Sequence, residues 1–198
     1  MSALAQAPSD FLSALSGLRK AQCRSEVHLE EIPAPSRLAP FAVALSAEVL
    51  DPSPSGLADE EQIELAAGRF ILLHDPTGSS LWDGTFRIVT YIRAQLEAEL
   101  GNDQMLGSVA WTWLIEALEE HRALYRSAGG TATRILSESY GSLAGRPDAI
   151  DIELRASWTP EGHQVRDHLE AWTDMVCTFA GLPPLPEGVT ALPQRRLT

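Results

Sequence analysis

AIDIELRASWTPEGHQVRDHLEAWTDMVCTF, residues Ala149–Phe179, sets a period of two directly ahead of a period of 3.6. Ile150, Ile152, Leu154, Ala156 and Trp158 fall on one side of a strand, with Asp151, Glu153 and Arg155 on the other. Val165, Leu169, Trp172, Val176 and Phe179 then recur at helical spacing. Thr159-Pro160-Glu161 reads as the start of that helix, offering a hydroxyl for the cap, a proline for the first helical position and an acid for the first turn. Gly181 and Pro183 stop it. A strand with one oily face and a helix with one oily stripe must cover each other, which predicts a sheet with helices packed on one side.

Working back along the chain, Gly141–Pro147 (GSLAGRP) is a hairpin-like connection, and Thr131–Tyr140 alternates as a strand. Ala110, Trp113, Leu114, Ala117, Leu118, His121, Leu124 and Tyr125 form the stripe of a central helix, ended by Gly129-Gly130. Trp82–Leu100 carries two patterns at once. Ile88, Val89, Thr90 and Ile92 are β-branched and suit a strand, whereas Phe86, Val89, Ile92, Leu96 and Leu100 recur at helical spacing, with Arg93 and Glu97 as an i,i+4 pair. The spacing predicts a helix from about Thr85, with room for a short strand before it.

Nearer the start, Ser9 or Asp10 can cap a helix bearing Phe11, Leu15 and Leu18, and Glu26–Ile32 alternates as a strand. Three prolines stiffen Ile32–Pro40. Phe41, Val43, Leu45, Ala47 and Val49 share one side of a second strand. Phe70–His74 is an unbroken apolar run, read as a central strand that Pro76–Ser79 turns away. Asp51–Glu61 is a surface loop. The expectation is one α+β domain over residues 9–182, in the order α-β-β-β-α-α-β-β-α, with an antiparallel sheet of about five strands. A flexible tail, 1–8, and a Pro-rich tail, 183–198, flank it.

A chain of 198 residues can bury an adequate core without staples. Fifteen Lys and Arg stand against 27 Asp and Glu, for a net charge of −12, which repels phosphate backbones and anionic lipid. Nucleic-acid and membrane partners are therefore not expected. No apolar run reaches the roughly 18 residues of a membrane span, and the start lacks a secretory pattern. With only Cys23 and Cys177, far apart, the chain is expected in the cytoplasm with both thiols reduced.

No phosphate loop and no nucleophile elbow occurs. Asp151 and Glu153 share a strand face, but Arg155 continues that row and neutralises it more readily than a metal would. His163 and His168 are out of phase for one metal, His121 falls in the helical stripe as a core histidine, and Cys177 fills core. Neither a catalytic set, a metal site nor a cofactor is expected. What remains for binding is His74-Asp75 where a strand meets its turn, Arg93 on the polar side of its element, and Trp82 and Trp111, two tryptophans the apolar pattern leaves unplaced. The first reading is a non-enzymatic protein that binds a protein or peptide partner, as a homodimer. The alternative is a small-molecule enzyme or sensor with its site near His74, Asp75 and Arg93.

Several strings carry a family resemblance: LEEIPAPSRLAPFAVALSAEV (Leu29–Val49), GRFILLHDPTG (Gly68–Gly78), WDGTFRIVTYIRAQLE (Trp82–Glu97), SESYGSLAGRP (Ser137–Pro147), IELRASWTP (Ile152–Pro160) and HLEAWTDMVCTFAGLPP (His168–Pro184). Together they resemble an actinobacterial domain-of-unknown-function family, the one numbered three thousand. The resemblance implies a bacterial cytoplasmic setting and carries no activity, cofactor or site residue. Separately, the expected element order is similar to that of small acidic secretion-chaperone-type folds, an analogy of order alone.

Overall fold

The computed structural model describes residues 7–51, 63–96 and 104–184. Six strands, β1 (Val27–Ile32), β2 (Phe41–Leu50), β3 (Glu64–Ser79), β4 (Gly84–Leu96), β5 (Tyr125–Ser137) and β6 (Ala149–Pro160), form one antiparallel sheet in the order β1-β2-β3-β4-β6-β5. Three helices, α1 (Ser9–Leu18), α2 (Leu106–Glu120) and α3 (Arg166–Phe179), accompany it. The expected α+β class and antiparallel sheet are what the chain forms. The returning strand β6 slips between β4 and β5, which leaves β1 and β5 at the two margins.

Cross-strand register sorts the two sides of the sheet. Phe70 lies opposite Leu45 and Thr90, and Ile92 opposite Gly68 and Leu154, so these residues share a side. That side holds the core: Phe70, Leu72, Ile88, Ile92, Ile152, Leu154 and Trp158 are fully buried beneath the helices. Helix α3 lies over β3, where Gly68 makes room for Trp172. A Cβ on Gly68 would come within 2.7 Å of the Trp172 ring and 2.9 Å of the Tyr91 carbonyl oxygen. Helix α2 packs on β5 in a similar way, since a Cβ on Gly130 would meet the Trp111 ring at 2.8 Å. Two backbone positions without side chains thus let two tryptophans close the helical layer onto the sheet.

Four expectations change. Residues 84–96 are strand, not helix: β4 pairs along its length with β3 and β6, and Phe86, Ile88, Thr90, Ile92 and Ala94 alternate as its buried side. The expected order therefore gains a fourth consecutive strand in place of the first inner helix, which departs from the chaperone-type order. Helix α2 ends at Glu120, with Arg122 at φ 53°, and Gly129-Gly130 lies inside β5 instead of ending the helix. Leu124 is consequently 66% exposed. Thr159-Pro160 closes β6 rather than capping α3, which starts at Arg166. Strand β3 carries on past His74 through an irregular register to Ser79, so Pro76–Ser79 is not the turn; the chain reverses over residues 80–83.

The loop Asp51–Glu61 lies outside the described residues except for Asp51, as do residues 1–6 of the N-terminal tail and 185–198 of the C-terminal one. Ala7 packs against the core, and Pro8 caps α1, its carbonyl accepting a hydrogen bond from the Leu12 N–H at 3.0 Å. No helix among the described residues is long and apolar enough to cross a membrane.

Candidate functional site on the open side of the sheet

Odd-numbered residues of β3, β4 and β6 point away from the helices. The register places Arg69, Tyr91, Arg155 and Thr131 in one row across β3, β4, β6 and β5, and Ile71, Val89, Ser157 and Gly129 in the next. No described helix covers this side, and a shallow concavity of about 750 Å³ opens there, lined by Arg69, Ile71, Val89, Tyr91, Arg93 and Arg155 among others. On β5 the open-side position beside Ser157 is Gly129, so no side chain rises there.

The polar groups are ordered by one another. Arg155 donates to Glu153 at 2.6 Å and stands over the Tyr91 ring, 5.5 Å from its centroid. The Tyr91 hydroxyl donates to the other Glu153 oxygen at 2.9 Å; burial and that carboxylate raise it above the ordinary phenol range. Arg93 pairs with Asp151 at 2.8 Å, which holds its guanidinium above its usual value. Arg87, next along β4, has no carboxylate partner among the described residues. Its Nη1 donates to the Ser127 carbonyl at 2.9 Å and to the Thr159 hydroxyl at 3.0 Å, and its Nη2 to the Ser157 hydroxyl at 2.7 Å. Three of its five N–H donors are thereby used, and burial pulls it below its ordinary value. Arg69 is exposed and likewise has no carboxylate partner among the described residues. The side therefore sets a fixed Tyr–Glu–Arg cluster beside one exposed guanidinium, Arg69, while Arg87 is held by Ser127, Thr159 and Ser157.

The five residues singled out from sequence do not come together. His74 is buried on the helix side, 2% exposed, stacked on Phe86 at 4.2 Å and near Phe11 and Phe41 at 5.8 and 6.2 Å. Its Nδ1 donates to the Thr85 carbonyl at 3.0 Å, while Nε2 has no partner among the described residues, and burial lowers its basicity. Asp75 points the other way and accepts the Thr77 N–H and hydroxyl at 2.9 and 2.7 Å, bonds that lower its carboxyl's pKa. Arg93 belongs to the open side. A joint site of His74, Asp75 and Arg93 is not assembled, because adjacent strand residues alternate sides. Trp82 is half-buried in the β3–β4 turn, its carbonyl accepting the Thr159 hydroxyl, and Trp111 is half-buried on Gly130, so neither forms an exposed patch. His121 is not core: its Nε2 meets Asp174 at 2.7 Å and clasps the end of α2 to α3.

Sequence reasoning missed Arg69, Arg87 and Tyr91, and counted Arg155 only as a counterion. The signal was present as Arg87-x-Val89-x-Tyr91-x-Arg93, legible once β4 is a strand.

A second concavity, about 450 Å³, lies on the helix side under α1, walled by Phe11, Leu15, Leu18, Leu29, Phe41, Val43 and Leu45 with Arg19 at its edge. Its walls are mostly apolar, with Glu30 and Glu31 also lining it, and Phe11 and Phe41 of its wall pack against His74.

Comparison with known proteins adds one match. A model of the family described as Protein of unknown function (DUF3000) matches residues 7–190. No curated protein and no solved structure matches the chain.

Proposed function

We propose, for a chain that belongs to the DUF3000 family and takes no activity from it, that this protein binds an extended acidic segment of a partner protein on the open side of its sheet. In this reading it works as a homodimer in an actinobacterial cytoplasm and performs no catalysis. The carrying observation is the row Arg69–Tyr91–Arg155 over a shallow, uncovered concavity, in a chain whose overall charge is −12. Tyrosine and arginine around half-exposed Ile71 and Val89 are the composition of contact surfaces where a few residues dominate binding. Arg69, which has no carboxylate partner among the described residues, favours a carboxylate in the partner, and Arg155 stands in the same row. The openness favours a chain laid across four strands over a small molecule, which needs an enclosing pocket. A polyanionic backbone is disfavoured by the overall charge.

The test is fluorescence anisotropy with a labelled peptide of alternating Asp and Leu. Arg69→Glu combined with Arg155→Glu is expected to weaken binding at least about tenfold, and an alternating Lys-Leu peptide is expected not to bind. Arg37→Glu, on the exposed connector after β1, should leave affinity unchanged. An equal loss from Arg37→Glu would show diffuse charge attraction, and the reading would fail.

The groove under α1 favours a second reading, a sensor of a small apolar molecule whose occupancy is felt by His74 through Phe11 and Phe41. Saturation-transfer NMR should then show decanol bound by the parent chain and lost in Val43→Phe, with the acidic peptide unaffected. Absence of transfer to the parent removes this reading.

A further inference from the structure

The two margins of the sheet are unlike each other. β1 is short, carries exposed Glu30 and Glu31 and runs directly into Pro33, devices that prevent a further strand from adding. β5 is 13 residues long and contains no Asp, Glu, Lys or Pro. From Gly129 to Ser137 it pairs with β6 in an unbroken register, opposite Ser157 through Ala149. Its outer side has no strand partner among the described residues, and Leu136 stands 58% exposed on it. In a chain with 27 acidic residues, this acid-free margin is where two copies approach with least repulsion.

We infer that β5 pairs antiparallel with β5 of a second copy, about a two-fold axis through Thr133, so that one sheet runs through both protomers. The register follows from symmetry. A two-fold normal to the sheet keeps each side of the sheet on its own side, so residues facing each other must share a side, and the axis passes through a residue. Thr133 is the midpoint of the regular stretch Gly129–Ser137 and gives the longest overlap. Thr133 then faces its own symmetry mate, Arg134 faces Ala132, Ile135 faces Thr131, and Leu136 faces Gly130. An axis through Arg134 would instead set guanidinium against guanidinium. This contact surface rests on the homodimer proposed above but not on the peptide. It adds one consequence for that site: both arginine-bearing sides face the same way, side by side, and form a single double-length platform.

The experiment combines light scattering after size exclusion with cysteine pairing under mild diamide oxidation, using the full chain. The parent, with Cys177 buried and Cys23 half-buried, is the control and should not cross-link. Thr133→Cys is expected to form a dimeric disulfide by itself. Thr131→Cys and Ile135→Cys should each fail alone, because each lies roughly 13 Å from its own mate in this register, and should cross-link when mixed. Circular dichroism checks that each variant is folded. A dimeric mass without this pattern overturns the β5 surface while leaving a homodimer standing. A monomeric mass overturns both.

Discussion

Trp172→Ala is expected to destabilise the protein by about 3–5 kcal/mol, the usual cost of deleting a large aromatic from a closed core. Trp172 is fully buried, packs on Phe70 at 5.6 Å between ring centroids, and fills the space that Gly68 leaves open on β3. For a chain of this length, the melting temperature should fall by roughly 10 °C. The Gly68 contact makes the claim sharper. Gly68→Ala places a methyl within 2.7 Å of the indole and should cost about 1–3 kcal/mol in the parent. In the Trp172→Ala background part of that strain disappears, while the 2.9 Å approach to the Tyr91 carbonyl remains. The double variant is therefore expected to lose less than the sum of the single losses, by on the order of 1 kcal/mol. Because the Trp172 Nε1–H has no partner among the described residues, Trp172→Phe strands no acceptor and should cost less than the alanine change. Urea unfolding of the parent and the four variants measures all of this. Strict additivity would mean that Trp172 and Gly68 do not support each other.

The second large effect is a loss of stability in mild acid. His168 is 1% exposed on α3, and its Nδ1 accepts the Trp158 indole N–H at 3.1 Å, which leaves its proton on Nε2. Burial lowers its pKa from 6.5 to about 4. The unfolded chain therefore takes up a proton at this residue before the folded one does. The stabilising contribution is whole above pH 6.5 and drains away as the pH falls toward about 4. Its size is about 3 kcal/mol. His74, lowered by burial too, acts in the same direction. Glu26 and Asp75, held low by Arg24 and by Thr77, act only at more acidic pH, so the window belongs to histidine. His168→Gln keeps an oxygen for the Trp158 indole. Denaturant unfolding at steps from pH 7 to pH 4 should show the parent's slope reduced by about one proton in that variant. An unchanged slope would mean that His168 is not the buried base.

The legible parts of the fold were those where only one side of an element is apolar. β6 and α3 were readable because Asp151, Glu153 and Arg155 leave the apolar period of β6 uninterrupted, and because α3 has a single wide stripe. β4 misled because both of its sides carry apolar groups: Phe86, Ile88 and Ile92 on one, Val89 and Tyr91 on the other. Picking from both sides yields Phe86, Val89, Ile92 and Leu96, an accidental helical spacing. The end of α2 was hidden for another reason. Leu124 and Tyr125 continue the stripe, yet Arg122 turns the chain in a conformation that nothing about arginine announces. Only the β4 part of the open-side site, Arg87-x-Val89-x-Tyr91-x-Arg93, could be read from spacing. Arg69 and Tyr91 belong to consecutive strands, but Arg155 lies on a strand far away in sequence, and only the order β3-β4-β6 makes the three neighbours.

The blunted margin at β1 also sets a limit on growth. In the proposed dimer, a protomer paired through β5 would have only the β1 margin left among the described strands, and Glu30, Glu31 and Pro33 close that end. Under the proposed β5 pairing, assembly through strands would stop at two copies, because Glu30, Glu31 and Pro33 oppose pairing at the β1 margin.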